Sequence, residues 1–82
     1  HMQREEISQR VKSVTARMLK VKMAEIRDSD RFAYELGADS LKSIELVAAF
    51  EEEFNLSLNE DQALQVQTVA GAVDFFSRLL PD

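Results

Sequence analysis

Ser40-Leu41-Lys42-Ser43-Ile44-Glu45-Leu46-Val47-Ala48-Ala49-Phe50-Glu51-Glu52-Glu53-Phe54 is the stretch on which the fold turns. Stepping about 100° per residue from Leu41 divides it into two faces of one helix. Leu46, Val47, Phe50 and Phe54 gather on one side, with Ser43 among them. Leu41, Ile44, Glu45, Ala48, Glu51 and Glu52 gather on the other. The first face is core. The second is an apolar strip edged with carboxylates, and the core side offers it no place. Single apolar side chains on a surface are ordinary, but a strip rimmed by charge is the pattern of a protein-docking face. Asp39 or Ser40 supplies the N-cap from which the helix starts.

Toward the N-terminus, Ile7, Val11, Val14 and Met18 recur at gaps of four, three and four, one face of a helix from about Arg4 to about Leu19. Residues 20–39 have no such period, and they contain Asp28-Ser29-Asp30 and Gly37. They are predicted to form a long loop held by apolar plugs at Ile26, Phe32 and Leu36; a loop of this length in a small domain is usually functional. Toward the C-terminus, Ser57-Leu58-Asn59-Glu60 fits a capping box for a short helix ending near Leu64. Thr68 can cap a last helix with the stripe Val69, Val73, Phe76 and Leu80, stopped by Pro81. No segment alternates with the period of a strand. The expected fold is all-α: a four-helix bundle with a long first loop and a short third helix. One domain is expected over residues 3–82, and His1-Met2 reads as the remnant of a cleaved expression tag.

Composition narrows the chemistry. The 82 residues contain no cysteine, so disulfides, thiolate metal sites and cysteine nucleophiles are excluded together. The only histidine is His1, and setting the tag aside leaves none for acid–base work or metal binding. No apolar run approaches the roughly 18–20 residues a bilayer-spanning helix needs, and no secretory signal is visible, so the cytoplasm is the expected compartment. The net charge of −5 is unevenly spread: residues 1–27 hold seven Lys/Arg and three Glu, residues 28–82 three Lys/Arg and twelve Asp/Glu. An acidic body repels nucleic acid and steers basic protein surfaces toward itself, although acidity also serves solubility alone.

Glu35-Leu36-Gly37-Ala38-Asp39-Ser40-Leu41 stands where the long loop meets the acidic helix. Ile44-Glu45-Leu46-Val47, Phe50-Glu51-Glu52-Glu53-Phe54 and then Val69, Ala72, Val73, Asp74 and Phe75 continue the pattern. Together these residues resemble the acyl carrier protein family, in its fatty-acid type, from about Val11 to about Leu80. The tripeptide Asp39-Ser40-Leu41 by itself would be a weak signal; set at a helix start with the acidic helix in register, it is a strong one.

The resemblance implies that Ser40 Oγ receives 4′-phosphopantetheine from coenzyme A through a magnesium-dependent phosphopantetheinyl transferase, with Asp39 and Leu41 flanking the site. It further implies that the thiol of the arm carries acyl groups as thioesters and hands them to acyl-transferring, ligating or condensing enzymes with basic docking surfaces. Leu41, Ile44, Glu45, Ala48, Glu51 and Glu52 would then meet these partners. Family members store cargo between the helices, which makes Phe32, Leu36, Leu46, Val47, Phe50, Phe54, Ala72 and Phe76 the candidate lining; the same residues also read simply as core. A monomer is expected.

The physics of the position agrees. A phosphodiester on the first residue of a helix faces unsatisfied N–H groups and the positive end of the helix dipole, and Gly37 lets the loop turn without a Cβ penalty. A plain N-cap serine would occupy the same place, and the two roles are compatible. Ser43 is the nearest rival for attachment, but its phase points it at the core. No enzymatic role is expected, since Ser40 has no histidine to activate it and no lysine beside it in sequence. Asp28-Ser29-Asp30 opens like a calcium loop but lacks the required glycine and distal glutamate, so no metal site is expected.

Three positions depart from the fatty-acid pattern. Lys42 stands where an acidic residue is usual, Leu19-Lys20-Val21 lacks the glycine that usually ends the first helix, and Asn59 stands near the usual proline of the third. Lys42 puts a cation at the edge of the docking face and points to a dedicated carrier in a specialised lipid or polyketide-type pathway. A peptidyl or D-alanyl carrier is the alternative within the class, disfavoured by Ala38-Asp39 before the serine. A helical adaptor with no arm is the alternative outside it.

Overall fold

The computed structural model describes residues 2–81. Four helices follow one another: α1 (Arg4–Leu19), α2 (Ser40–Phe54), α3 (Glu60–Leu64) and α4 (Val69–Leu79). The fold is therefore the all-helical bundle that the periodicities predict, with a short third member. An isolated bridge between Arg31 and Thr68 is the nearest approach to a strand among the described residues. His1, half of the expected tag remnant, lies outside them; Met2 is half-buried and packs against the core.

α1 packs against α2 and α4, and α3 against α2. Ile7, Val11 and Val14 are buried as their spacing requires, but Met18 is only half-covered and Thr15 takes the fourth buried place. Thr15 satisfies its hydroxyl by donating to Val11 O at 2.7 Å, so burying it leaves no orphan. The end of α1 needs no glycine: Lys20 adopts the left-handed conformation at φ 58°, and Asn55 does the same after α2 at φ 52°. The absence of a family-type glycine after Leu19 is thus met by strain on an L-residue rather than by another cap.

No Cα of α2 comes within 8 Å of one in α4, and aromatic rings fill the space between them. Phe76 stacks on Phe54 with centroids 4.5 Å apart and tilts against Phe50 at 5.2 Å; Phe50 meets Phe32 edge-on at 6.4 Å. Such pairs hold by the quadrupole of the rings as well as by burial. Helices joined through long side chains pack less tightly than helices in backbone contact, and a cavity lies in this space.

The long loop is irregular but firmly tied. Ile26, Phe32 and Leu36 are buried, as is Ala38. Asp28 O and Asp30 O accept the N–H groups of Ala70 and Val69 at 2.8 and 3.0 Å, and Gln67 O accepts Phe32 N at 2.9 Å. The first two bonds satisfy donors at the start of α4 that its own turns cannot reach. Thr68 adds its hydroxyl to Gly71 N at 3.0 Å, the cap expected of it. The loop also contains a 3₁₀ turn at Met23–Glu25 that no periodicity signals.

The start of α3 differs from expectation. Its cap is Asn59, whose carboxamide oxygen accepts Gln62 N at 2.9 Å, and not Ser57. Asparagine caps at least as well as serine, and the chain from Asn55 to Leu58 is occupied in returning from α2. α4 ends at Leu79, with Leu80 extended at φ −77°, ψ 137°, the conformation that Pro81 imposes on its predecessor.

Candidate functional site

Gly37 turns the chain into the site. Its φ of +76° is a conformation that a side chain would strain, although a Cβ there would meet no neighbour within 4 Å. Ala38 N then donates to Phe32 O at 2.7 Å, tying the approach to a buried plug. Just before the turn, Glu35 is gripped by Arg31 through its guanidinium (3.0 and 3.2 Å) and its backbone N–H (2.7 Å). The side-chain bond and then the backbone bond hold the Glu35 carboxyl at about 2, against an ordinary 4.5. The guanidinium also lies 4.2 Å from the ring centre of the exposed Tyr34.

Asp39 is the N-cap of α2, its carboxylate accepting Lys42 N at 2.8 Å. Capping therefore falls to Asp39, and Ser40, exposed as the first residue of the helix, is released from it. Ser43 N bonds to Asp39 O. Among the described residues no acceptor meets the N–H groups of Ser40 and Leu41, so two first-turn donors and the positive helix end stand open beside the Ser40 hydroxyl.

From this point α2 presents Leu41 (64% exposed), Ile44 (45% exposed), Ala48 and Glu52 to solvent, with Glu45 half-exposed. Glu51 is placed differently from these. Its carboxylate accepts Leu58 N at 2.8 Å, bracing the turn into α3. Glu53, absent from the expected face, binds Arg10 Nε at 2.7 Å. Lys42 Nζ stands 3.6 Å from Glu45, one turn along.

The other side of α2 lines a cavity of about 60 Å³. Phe32, Leu46, Val47, Phe50, Ala72 and Phe76 line it, whereas Leu36 and Phe54 are buried but stand away from it. Ser43 reaches the wall as well. Sequence reasoning missed Leu58, Ala63, Leu64, Val66 and Phe75, which complete the lining. Apolar residues on both flanks of a short helix were the available signal, since such a helix buries little unless it covers something. Asp28 pairs with Lys12 at 3.0 Å, and Asp30 caps its own turn by accepting Arg27 N at 2.9 Å; both also give their carbonyls to α4.

No helix among the described residues is long and apolar enough to cross a membrane. The family model described as the phosphopantetheine attachment site matches residues 9–76, from the second turn of α1 to the buried face of α4.

Proposed function

We propose a function from one premise: the chain belongs to the phosphopantetheine attachment family. A domain of this family is the attachment site for a covalent 4′-phosphopantetheine group and works as a carrier, in contact with a phosphopantetheinyl transferase and the enzymes it serves. On our reading the attachment residue is Ser40 and the cargo is acyl groups held as thioesters. The observation that carries this is the exposed Ser40 hydroxyl at the head of α2, spared the capping role by Asp39.

The residues present suit a phosphodiester. The open N–H groups of Ser40 and Leu41 face an anion on Ser40 Oγ, and the ammonium of Lys42 follows within the same turn. The Asp39 carboxylate is adjacent, but its charge is partly spent on Lys42 N. In loading, Ser40 Oγ would form the bond to the phosphorus of the pantetheine phosphate as the pyrophosphate link of coenzyme A breaks, adenosine 3′,5′-bisphosphate would leave, and the hydroxyl proton would pass to a base of the transferase. The bound arm supplies a thiol; this chain supplies its anchor, a docking face and an apolar cavity.

Leu41, Ile44 and Ala48 make the apolar contact with partners, and Glu45 and Glu52 steer them, an effect on association rate more than on final affinity. Glu51 contributes indirectly by holding the α2–α3 turn. The cavity gives the start of an acyl chain a dry place. Lys42 supports service in a specialised lipid or polyketide-type pathway, in a cytoplasmic setting.

Intact-mass measurement after incubation with coenzyme A and a broad-specificity transferase tests the reading. The wild type is expected to gain one phosphopantetheine and Ser40→Ala none, with unchanged helical circular dichroism. Full loading of the alanine variant would overturn Ser40 as the anchor.

A further inference from the structure

α1 and α2 run antiparallel. Arg10, early in α1, lies against Glu53, near the end of α2, while Arg17 and Met18, late in α1, line one groove with Lys42 and Glu45, early in α2. This groove has a volume of about 590 Å³, and Met18, Ala48 and Ala49 are the apolar part of its lining. Its charges are sorted along its length. Arg17 and Lys42 stand at the end where Ser40 begins the helix, and Glu52 stands at the other.

The pairing inside the groove sharpens the sorting. Glu53 is committed to Arg10, which takes both its carboxylate (2.7 Å) and its carbonyl (2.6 Å). Glu45 is only loosely engaged with Lys42, at 3.6 Å. Arg17 is exposed and has no carboxylate within 4 Å among the described residues, and Glu52 is exposed with no cation within that distance. The groove is therefore cationic near the attachment end and anionic about three turns away.

We propose that this groove receives one helix of a partner protein, carrying a carboxylate toward the Ser40 end and a lysine or arginine about 15 Å farther along; the identification of that partner as a client enzyme rests on the carrier reading above. Ten residues of α-helix span that distance, and eleven bring two side chains back to one face. Lys42 to Glu52 covers about 15 Å of α2, and one helix is about 10 Å wide. The footprint is then on the order of 150 Å², far below the roughly 800 Å² per partner of a stable interface. An area this small suits a transient contact and falls short of a self-paired dimer. The charge order fixes which way the partner lies relative to Ser40, a property a uniformly acidic face lacks.

Three helical peptides of equal length and identical apolar face test this, differing at two positions eleven residues apart: Glu and Lys, Lys and Lys, or Glu and Glu. Titrated into isotope-labelled protein at low salt, the Glu/Lys peptide should bind about three- to fivefold more tightly than either of the others, from two exposed pairs. The amide signals of Arg17, Lys42, Ala48 and Glu52 should move. In the R17E/K42E variant, checked for helicity by circular dichroism, preference should pass to the Lys/Lys peptide. The proposal is overturned if the wild type prefers the Lys/Lys peptide or if no peptide shifts these signals at millimolar concentration. It is equally overturned if sedimentation shows a dimer that R17E/K42E abolishes, since the occupant would be a second copy. Coenzyme A loading of the wild type is read separately: a chain that ranks the peptides as expected but gains no arm keeps the groove and loses the carrier reading.

Discussion

The loop between α1 and α2 and the helix α3 reverse the usual relation between regularity and anchorage. Residues 20–39 hold one short 3₁₀ turn and no α-helix, yet four of their side chains are buried and their carbonyls reach into α4. α3 is regular, with a proper cap, yet it buries no residue and packs against α2 alone. Secondary structure thus reports local hydrogen bonding, whereas stability follows buried contacts. The functional division follows the same line: the tied loop positions Ser40, and the loosely held helix forms one wall of the cavity.

Breaking the loop should cost most. Phe32→Ala removes a buried ring that meets Phe50 edge-on, and about 3–5 kcal/mol should be lost in urea unfolding. A domain of this size has about 4–12 kcal/mol in all, so the urea midpoint should fall by roughly half. Gly37→Ala tests the turn rather than the plug. Its Cβ has room, so the cost is that of a left-handed L-residue, about 1–2 kcal/mol, without new clashes. Transferase loading should slow with it if the turn sets the position of Ser40.

The contrasting variant is Leu64→Ala in α3. Leu64 is 38% exposed, so less than about 1 kcal/mol should be lost. Amide exchange in Glu60–Leu64 should quicken while that of residues 31–38 stays as it was. A loss as large as that of Phe32→Ala would erase the distinction between the two regions.

The smallest effect is a matter of pH. With Glu35 held at about 2, its carboxylate is favoured in the folded state. Its contribution is complete above the ordinary 4.5 and disappears as pH falls through about 2. A carboxyl-detected NMR titration should place the Glu35 midpoint near 2, and Arg31→Gln should return it toward the ordinary value. Glu35→Gln should remove that part of the acid dependence.

Elements with a local signature were legible in the sequence. The bounds of α1 and α2 follow from their apolar periods, and Asp39 and Thr68 cap the helices they precede. Features made by distant pairing were not. The choice of Asn59 over Ser57 depends on how many residues the chain needs to turn out of α2, and the engagement of Glu51 depends on where that turn brings Leu58 N. Arg17 gives no hint of its role until α1 is laid beside α2. The exposed strip of Leu41, Ile44 and Ala48 could be read because one helix contains it; the cavity, with walls from four segments, could be read only in part.

The ties between the loop and α4 also bear on how the chain acquires its shape. Asp28 and Asp30 bond to Ala70 and Val69, roughly forty residues away, and closing a span of that length is an entropic cost met before the contacts form. The bundle should therefore fold more slowly than its helix content suggests. During synthesis, Ser40 leaves the ribosome well before the residues that fasten the loop leading to it. A nascent chain ending short of α4 would present the serine on an unfastened approach, and modification at that stage should be inefficient. With Ser40 as the proposed anchor, the arm is expected to arrive after the last helix has docked, and loading would then report on completed folding.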